Sequence, residues 1–313
     1  MKQPKDTRPV PSLSQDAAYE NSFKSLYLAA NATGLRPQGL RHRAQSHFLG
    51  PRVAEDFLVN SRLQRFDREM ELSAQGFYFD AAAVMYSLLG HESIGESVIV
   101  SLPEPTGLHM DVGEAMRLRR SRSEYSGEPL AFGDLATLLW CASGITGRGE
   151  VEHLRGGRTF VHLRTTPSGG ALYSIEQYVA ILNSEGTARG IYRYEALRHR
   201  LLGFGDCGTV DQLLRAFCFR QDQATLERAG AIFLMIARPW RTMRKYGPRG
   251  LRHVFLEAGY IAQNIHLACI SLGLGSIDCS SFYDDEVHEA LRIDGVYETI
   301  VHAVIVGHPA AAP

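Results

Sequence analysis

The chain has 313 residues, of which 45% are hydrophobic and 21% charged, and its formal net charge is -1. This composition is typical of a globular protein with a sizeable core. The near-neutral charge gives no reason to expect a nucleic acid or an acidic membrane surface as partner. No apolar run approaches the roughly 20 residues that span a bilayer, and the polar N-terminus has no signal-peptide pattern. We therefore expect a cytoplasmic protein.

The five cysteines are scattered and odd in number, without a C-x-x-C pair. This usage predicts reduced thiols rather than a disulfide framework. The twelve histidines include no H-E-x-x-H motif, and none lies at ligand spacing from a cysteine pair. We predict no metal site.

The first third of the chain is predicted to be mostly helical. Residues 1–18 are polar, contain prolines and show no periodicity, which predicts a disordered tail. Residues 19–108 carry apolar side chains mainly at helical spacing and end in a short strand and a Pro/Gly-rich segment. We predict an N-terminal helical domain over 19–108 and a second domain over 109–313.

The second domain mixes helices and strands without regular alternation, which favours an α+β fold over a doubly wound sheet. Residues 231–237 (AIFLMIA) form an apolar run of strand length and are predicted to be a central strand buried on both faces. The segment from Leu251 to Gly275 is predicted to be a long helix buried on most sides. Other predicted helices begin near 112, 132, 209 and 284, and other strands near 174, 190 and 299.

Three short patches carry groups that a ligand or a reaction needs. Arg119, Arg120 and Ser121 offer guanidinium forks and a hydroxyl, which suit a phosphate; the alternative is a solvated basic cluster at a helix C-terminus. In the loop Thr166–Gly170, proline and glycine allow the backbone to approach a flat ligand; the alternative is an ordinary turn. Lys245-Tyr246 lies between a buried strand and a long helix, where a cleft could form.

In this order and at these intervals, the patches and the run Gly259–Gly275 resemble the SagB-type azoline dehydrogenases of the nitroreductase superfamily. These flavin-dependent enzymes oxidise thiazoline and oxazoline rings in modified peptides. The resemblance spans roughly Asp111–Pro309. It implies a nitroreductase-like, FMN-binding α+β fold, with a central mostly antiparallel sheet flanked by helices. It also implies an intertwined homodimer with each FMN at the interface.

The resemblance also assigns residues. Lys245 and Tyr246 match the family's acid/base pair. The implied FMN contacts are Arg119, Arg120, Ser121, Pro167, Ser168, Gly169, Gly170, Gly275 and Ser276. The sequence departs from the family in two places: Ser123 stands where a second basic residue is usual, and no lysine or arginine follows the final strand. We therefore expect Arg249, Arg252 or the partner chain to supply the missing charge for the phosphate, and include Arg249 among the predicted FMN contacts.

The reaction explains the need for a base. Converting an azoline to an azole removes a proton from one ring carbon and a hydride from its neighbour. A lysine with its usual pKa of about 10.4 is protonated and is a poor base. Desolvation, or a neighbouring cation such as Arg244 or Arg249, would lower that pKa. We predict that Lys245 takes the proton and that Tyr246 orients it or shares the proton.

The resemblance implies an azoline-containing precursor peptide as substrate and a cyclodehydratase complex as partner. The N-terminal domain would hold the leader peptide or dock onto that complex. Two alternatives remain open. One is an NAD(P)H-dependent nitroreductase, which needs no Lys-Tyr pair. The other is a non-catalytic scaffold subunit, which needs no flavin.

Overall fold

The computed structural model of the chain describes residues 53–62, 98–152, 158–218 and 226–310. The chain divides into two compact units, Met1–Val59 and Asn60–Pro313. Residues 53–59 of the first unit lie in helix α1 (Val53–Asn60), which confirms the helical prediction for that stretch. The predicted tail and most of the predicted N-terminal domain lie outside the described residues. The domain boundary near 108 therefore stays a prediction.

A seven-stranded sheet forms the centre of the second unit, in the order β1-β6-β5-β4-β7-β9-β8. All six pairings between neighbouring strands are antiparallel, which confirms the predicted sheet type. Strands β2 and β3 form a separate antiparallel ribbon. The strands are β1 (Ile99–Ser101), β2 (Ile145–Glu152), β3 (Arg158–Arg164), β4 (Ile175–Ile181), β5 (Gly190–Glu195), β6 (Arg200–Gly205), β7 (Ala231–Ala237), β8 (Gly275–Cys279) and β9 (Thr299–Gly307).

Helices cover both faces of the sheet. Successive residues of a strand point to opposite faces, so Val179 of β4 joins one core and Tyr178 the other. Helices α3 (Phe132–Ser143) and α6 (Gly250–Ser271) pack in the first core. Helices α4 (Cys207–Ala216) and α7 (Asp284–Leu291) pack in the second. Strand β7 is buried along its whole length, as its apolar run predicts. The helices of this unit are α2 (Val112–Leu118), α3 (Phe132–Ser143), α4 (Cys207–Ala216), α5 (Trp240–Tyr246), α6 (Gly250–Ser271) and α7 (Asp284–Leu291).

Helix α6 is buried on most sides, as predicted, and has one exposed face that includes Phe255, Leu256 and Tyr260, which are 50%, 52% and 44% exposed. It corrects one prediction, because it ends at Ser271, before the glycines that the predicted helix included. Gly273 adopts a φ of +72°, which suits a glycine in a tight turn. Strand β8 then begins at Gly275, where Gly275 and Ser276 pair with β9. No helix in the described ranges is long and apolar enough to cross a membrane.

Candidate active site

The structure brings two of the predicted patches together at Gly170. This residue has a φ of +70°, and a Cβ atom added there would lie 2.8 Å from both Lys245 Nζ and the Tyr246 hydroxyl. Lys245 is only 6% exposed, and its Nζ lies 5.1 Å from the centroid of the Tyr246 ring. The glycine therefore gives the loop its close approach to the lysine-tyrosine pair.

One face of helix α6 supports this loop. Asn264 Nδ2 donates to Thr166 Oγ1 at 3.1 Å, and the Ser168 hydroxyl donates to Glu257 Oε2 at 2.5 Å. Further along, a Cβ added to Gly169 would lie 3.1 Å from the His253 ring. His253, Glu257 and Asn264 are four and seven residues apart, so they share one face of the helix. The loop consequently runs along this face for about three turns of helix.

His253 adds an imidazole to the lysine-tyrosine pair. Its ring centroid lies 4.9 Å from that of Tyr246. Burial, and secondarily the charge of Arg249, lower the pKa of His253. The neutral imidazole, which can accept a proton, is therefore favoured at neutral pH.

Arg249 lies beside the same pair, in the short 3₁₀ turn Gly247–Arg249 that follows Tyr246. Its guanidinium donates to the carbonyl oxygen of Ser61 at 3.2 Å. Arg252 donates to the hydroxyl of the same serine at 2.7 Å and 2.9 Å. The structure thus groups the predicted phosphate ligand Arg249 with the lysine-tyrosine pair.

The arginine-serine patch meets strand β8 elsewhere. Ser121 forms a parallel bridge with Ser276, and the Arg122 N–H donates to the Ser276 carbonyl at 2.9 Å. Arg120 and Ser121 are exposed, and Arg119 is half-buried. The Ser276 hydroxyl is buried, 2.8 Å from Nδ1 of His266. The structure therefore places the predicted residues 119–121 and 275–276 side by side, with the Ser276 side chain directed at His266.

These two groups of predicted residues lie on different sides of α6. At about 100° per residue, His266 is half a turn away from Glu257 around the helix axis. The exposed side chains of Leu256 and Tyr260 fall on the arc between them. The exposed apolar face of α6 is thus flanked by the loop and Lys245 on one edge and by Ser276 on the other.

Two further signals in the sequence lie outside the short motifs. The chain has four lysines, at positions 2, 5, 24 and 245, so the other 29 of its 33 basic residues are arginines. Lys245, the one lysine within the described ranges, is buried in an arginine-rich chain, which points to chemistry that arginine cannot perform, because arginine does not lose its proton in proteins. The second signal is the polar stripe His253, Glu257 and Asn264 in an otherwise apolar helix.

The model of the nitroreductase family matches residues 116–308. The chain belongs to the nitroreductase family. It is 32% identical over 200 residues to the putative nitroreductase MJ1384 of Methanocaldococcus jannaschii, a match that covers 64% of this chain and 92% of that protein. The family match agrees with the α+β fold and with the antiparallel sheet described above.

A second relative of this nitroreductase-family chain is the trifolitoxin-processing protein TfxB of Rhizobium leguminosarum bv. trifolii. It is 30% identical over 157 residues, covering 50% of this chain and 40% of that protein. Among solved structures, a chain of the E. coli microcin synthetase McbBCD complex with truncated pro-MccB17 bound aligns with a TM-score of 0.52. The alignment covers 83% of this chain and 92% of that chain at 19% identity, a likeness that shows a shared fold.

The site contains no metal-ligand cluster in the part of the chain that the structure describes. Its chemical groups are an amine, a phenol, an imidazole and exposed guanidiniums. Such a set can bind an anionic cofactor and move protons.

Proposed function

We propose that this protein is an FMN-dependent dehydrogenase that oxidises thiazoline or oxazoline rings of a ribosomally made peptide to thiazoles or oxazoles. The observation that carries the proposal is the buried Lys245, held with Tyr246 against Gly170, in a member of the nitroreductase family. Membership of that family supports a flavin-dependent oxidoreductase. The similarity to a trifolitoxin-processing protein supports a peptide as substrate.

The residues present fit FMN. Arg119, Arg120 and Ser121 direct charged and neutral donors to an accessible surface, as a phosphate requires. Gly169 and Gly170 expose backbone without side chains beside Lys245, as close approach of a flat ring requires. We infer that Pro167, Ser168, Gly275 and Ser276 shape the same site mainly through their backbone, and that Arg249 adds charge near the ring. Bound FMN would supply the hydride acceptor.

Lys245 and Tyr246 supply the proton chemistry in this proposal. Lys245 accepts the proton that leaves the azoline ring carbon, and Tyr246 orients the amine or shares the proton. The burial of Lys245 keeps bulk water away from the amine. A positioned base of this kind contributes on the order of 10²–10⁴-fold to the rate.

We further propose that the active protein is a homodimer and that each site draws on both copies. The exposed apolar face of α6 separates Ser276 from the loop and Lys245 within one chain. A second copy packed on that face would bring the patch of one chain next to the loop of the other.

Glutamates at Leu256 and Tyr260 should then produce a monomer that has lost FMN, as measured by sedimentation and absorbance. A glutamate at the exposed Tyr283, which directly precedes α7, is the matched control. FMN retained by a stable monomer would contradict the composite site.

The proposed partners are a precursor peptide and a cyclodehydratase complex. The predicted N-terminal helical domain would hold the leader peptide or dock onto the complex. Removing residues 1–59, the first compact unit, should therefore raise the KM for full-length precursor while leaving oxidation of a short azoline peptide intact. Unchanged turnover of full-length precursor would contradict this role.

The deciding experiment offers the purified protein an azoline-containing peptide and oxygen, and then detects the loss of two hydrogens per ring by mass spectrometry. The family membership also favours a second candidate, an NAD(P)H-dependent nitroreductase. Rapid NADPH-driven reduction of a nitroaromatic compound by a Lys245→Ala variant, with no change in the peptide, would establish that alternative. A protein that binds no flavin would instead support the scaffold role.

A further inference from the structure

Glu257 is a carboxyl group in the middle of α6 to which the mechanism above gives no role. It is 2% exposed. One of its oxygens accepts hydrogen bonds from the Ser168 hydroxyl at 2.5 Å and from the Ser174 N–H at 3.3 Å. The other accepts a hydrogen bond from the Ile175 N–H at 3.0 Å. Burying a carboxyl is unfavourable unless it is hydrogen-bonded, and here the donors all come from one short stretch.

Ser168 connects this carboxyl to the loop. Its hydroxyl donates to Glu257 and also accepts the Tyr173 N–H at 2.9 Å. The segment from 168 to 173 is therefore closed on itself and fixed to α6 at one point. Gly170 lies inside this closed segment, beside Lys245. A shift of Ser168 would consequently move the backbone that contacts the lysine.

We propose that Glu257 is a positioning residue that, through the Ser168 hydroxyl, holds Gly170 against Lys245 and Tyr246. The inference rests on the proposed function and deepens it, because it separates the anchoring of the loop to α6 from its contact with the ligand. The Ser168 hydroxyl is engaged by α6, so the loop meets its ligand with the backbone of Gly169 and Gly170. The burial of Glu257 also raises the pKa of its carboxyl, although its hydrogen bonds oppose this.

A double-mutant cycle tests the link. Ser168→Ala and Glu257→Gln should each lower kcat on an azoline peptide by about tenfold with KM changed by less than about twofold, because the reacting groups are misplaced. The double variant should be no slower than the slower single variant, since both changes break one connection. Ser168→Thr, which keeps the hydroxyl, should restore most of kcat. Glu289→Gln, at an exposed glutamate of α7, is the matched control.

A second readout does not depend on turnover. Lys245 is the only lysine after residue 24, so its acetylation can be followed on one peptide by mass spectrometry. Ser168→Ala and Glu257→Gln should change its acetylation rate by at least about threefold, and Ser168→Thr and Glu289→Gln should not. If Glu257→Gln does not fold, the alanine and threonine variants of Ser168 still decide the question.

Two results would overturn the inference. One is wild-type kcat and wild-type acetylation of Lys245 in Ser168→Ala. The other is a double variant whose loss in kcat is the product of the two single losses. Should no protein, including the wild type, oxidise the peptide, the proposed function fails. The acetylation rates alone then decide whether Glu257 and Ser168 set the surroundings of Lys245.

Discussion

The loop region around Lys245 and the arginine-serine patch beside β8 are built in different ways. Lys245 is buried, and the nearby Ser168 and Glu257 satisfy one another by hydrogen bonds within the core. Arg120 and Ser121 are exposed, and Arg120 donates to main-chain carbonyls of its own turn. The first region thus fixes its geometry in advance, as a reacting centre requires. The second presents charge at the protein surface, as the proposed phosphate contact requires.

The largest effect is expected at Lys245. The contrast between the two regions predicts that a change there lowers turnover while FMN binding is retained. Lys245→Ala should lower kcat by on the order of 10²–10⁴-fold, because the proton acceptor is removed. FMN content, read from the visible absorbance, should stay near one per chain. Lys245→Arg is the informative companion, since it keeps the charge but cannot give up its proton. Near-normal turnover by either variant would remove Lys245 from the mechanism.

The arginine-serine patch should show the opposite behaviour. Replacing both Arg119 and Arg120 by alanine should weaken FMN binding by on the order of 10²–10⁴-fold, since hydrogen bonds to charged groups contribute roughly 1.5–3 kcal/mol each. At saturating FMN, kcat should change little. Arg117→Ala, an exposed arginine one turn earlier, is the control in an FMN titration at fixed ionic strength. A large fall in kcat at saturating FMN would contradict the assignment of binding to this patch and of the reaction to the Lys245 region.

A methyl group at Gly170 tests how closely the loop must approach Lys245. The added Cβ would lie within 2.8 Å of the amine and the phenol, so Gly170→Ala should lower kcat by about tenfold. Gly273→Ala provides a matched control, because Gly273 also has a positive φ (+72°) but has no atom near its Cβ position. It should incur a similar backbone cost, about 1 kcal/mol, with kcat unchanged. Equal kinetic effects of both variants would show that strain rather than contact is responsible.

The smallest effect concerns pH. Burial raises the pKa of Glu257 above its unfolded value. Its contribution to stability is therefore complete below the unfolded pKa of about 4.3 and is lost as pH rises through the folded pKa. Glu257→Gln cannot ionise, so the stability of the wild type relative to this variant should fall as the pH rises from 4. Urea unfolding measures this, with Glu289→Gln expected to follow the wild type. A constant difference would mean that Glu257 does not change its ionisation.

The sequence predicts most of the second unit, and the reasons differ between elements. The apolar run at 231–237 identifies a buried strand because only a central strand can bury every residue. The helix α6 is predictable, but its exposed face is not, since an exposed leucine such as Leu256 cannot be told from a core leucine by sequence. The end of α6 was misplaced because the turn at Gly273 looks like a helix cap in sequence.

The residues of the candidate site also differ in how far the sequence predicts them. Short motifs identified Lys245 and the loop, because proline, glycine and lysine act through local conformation and charge. Glu257 escaped notice because its role depends on a contact 89 residues away in the chain. His253 acquires its role only from the Tyr246 ring and the loop packed on it. Tertiary contacts, which no local pattern encodes, decide both residues.

The measurement that tests the central claim most directly is mass spectrometry of an azoline peptide incubated with the purified protein, FMN and oxygen. Wild-type protein should remove two hydrogens from each ring that it processes, and Lys245→Ala should leave the peptide unchanged with its flavin still bound. An unmodified peptide in the presence of flavin-loaded wild-type protein, or equal oxidation by both proteins, would contradict the account.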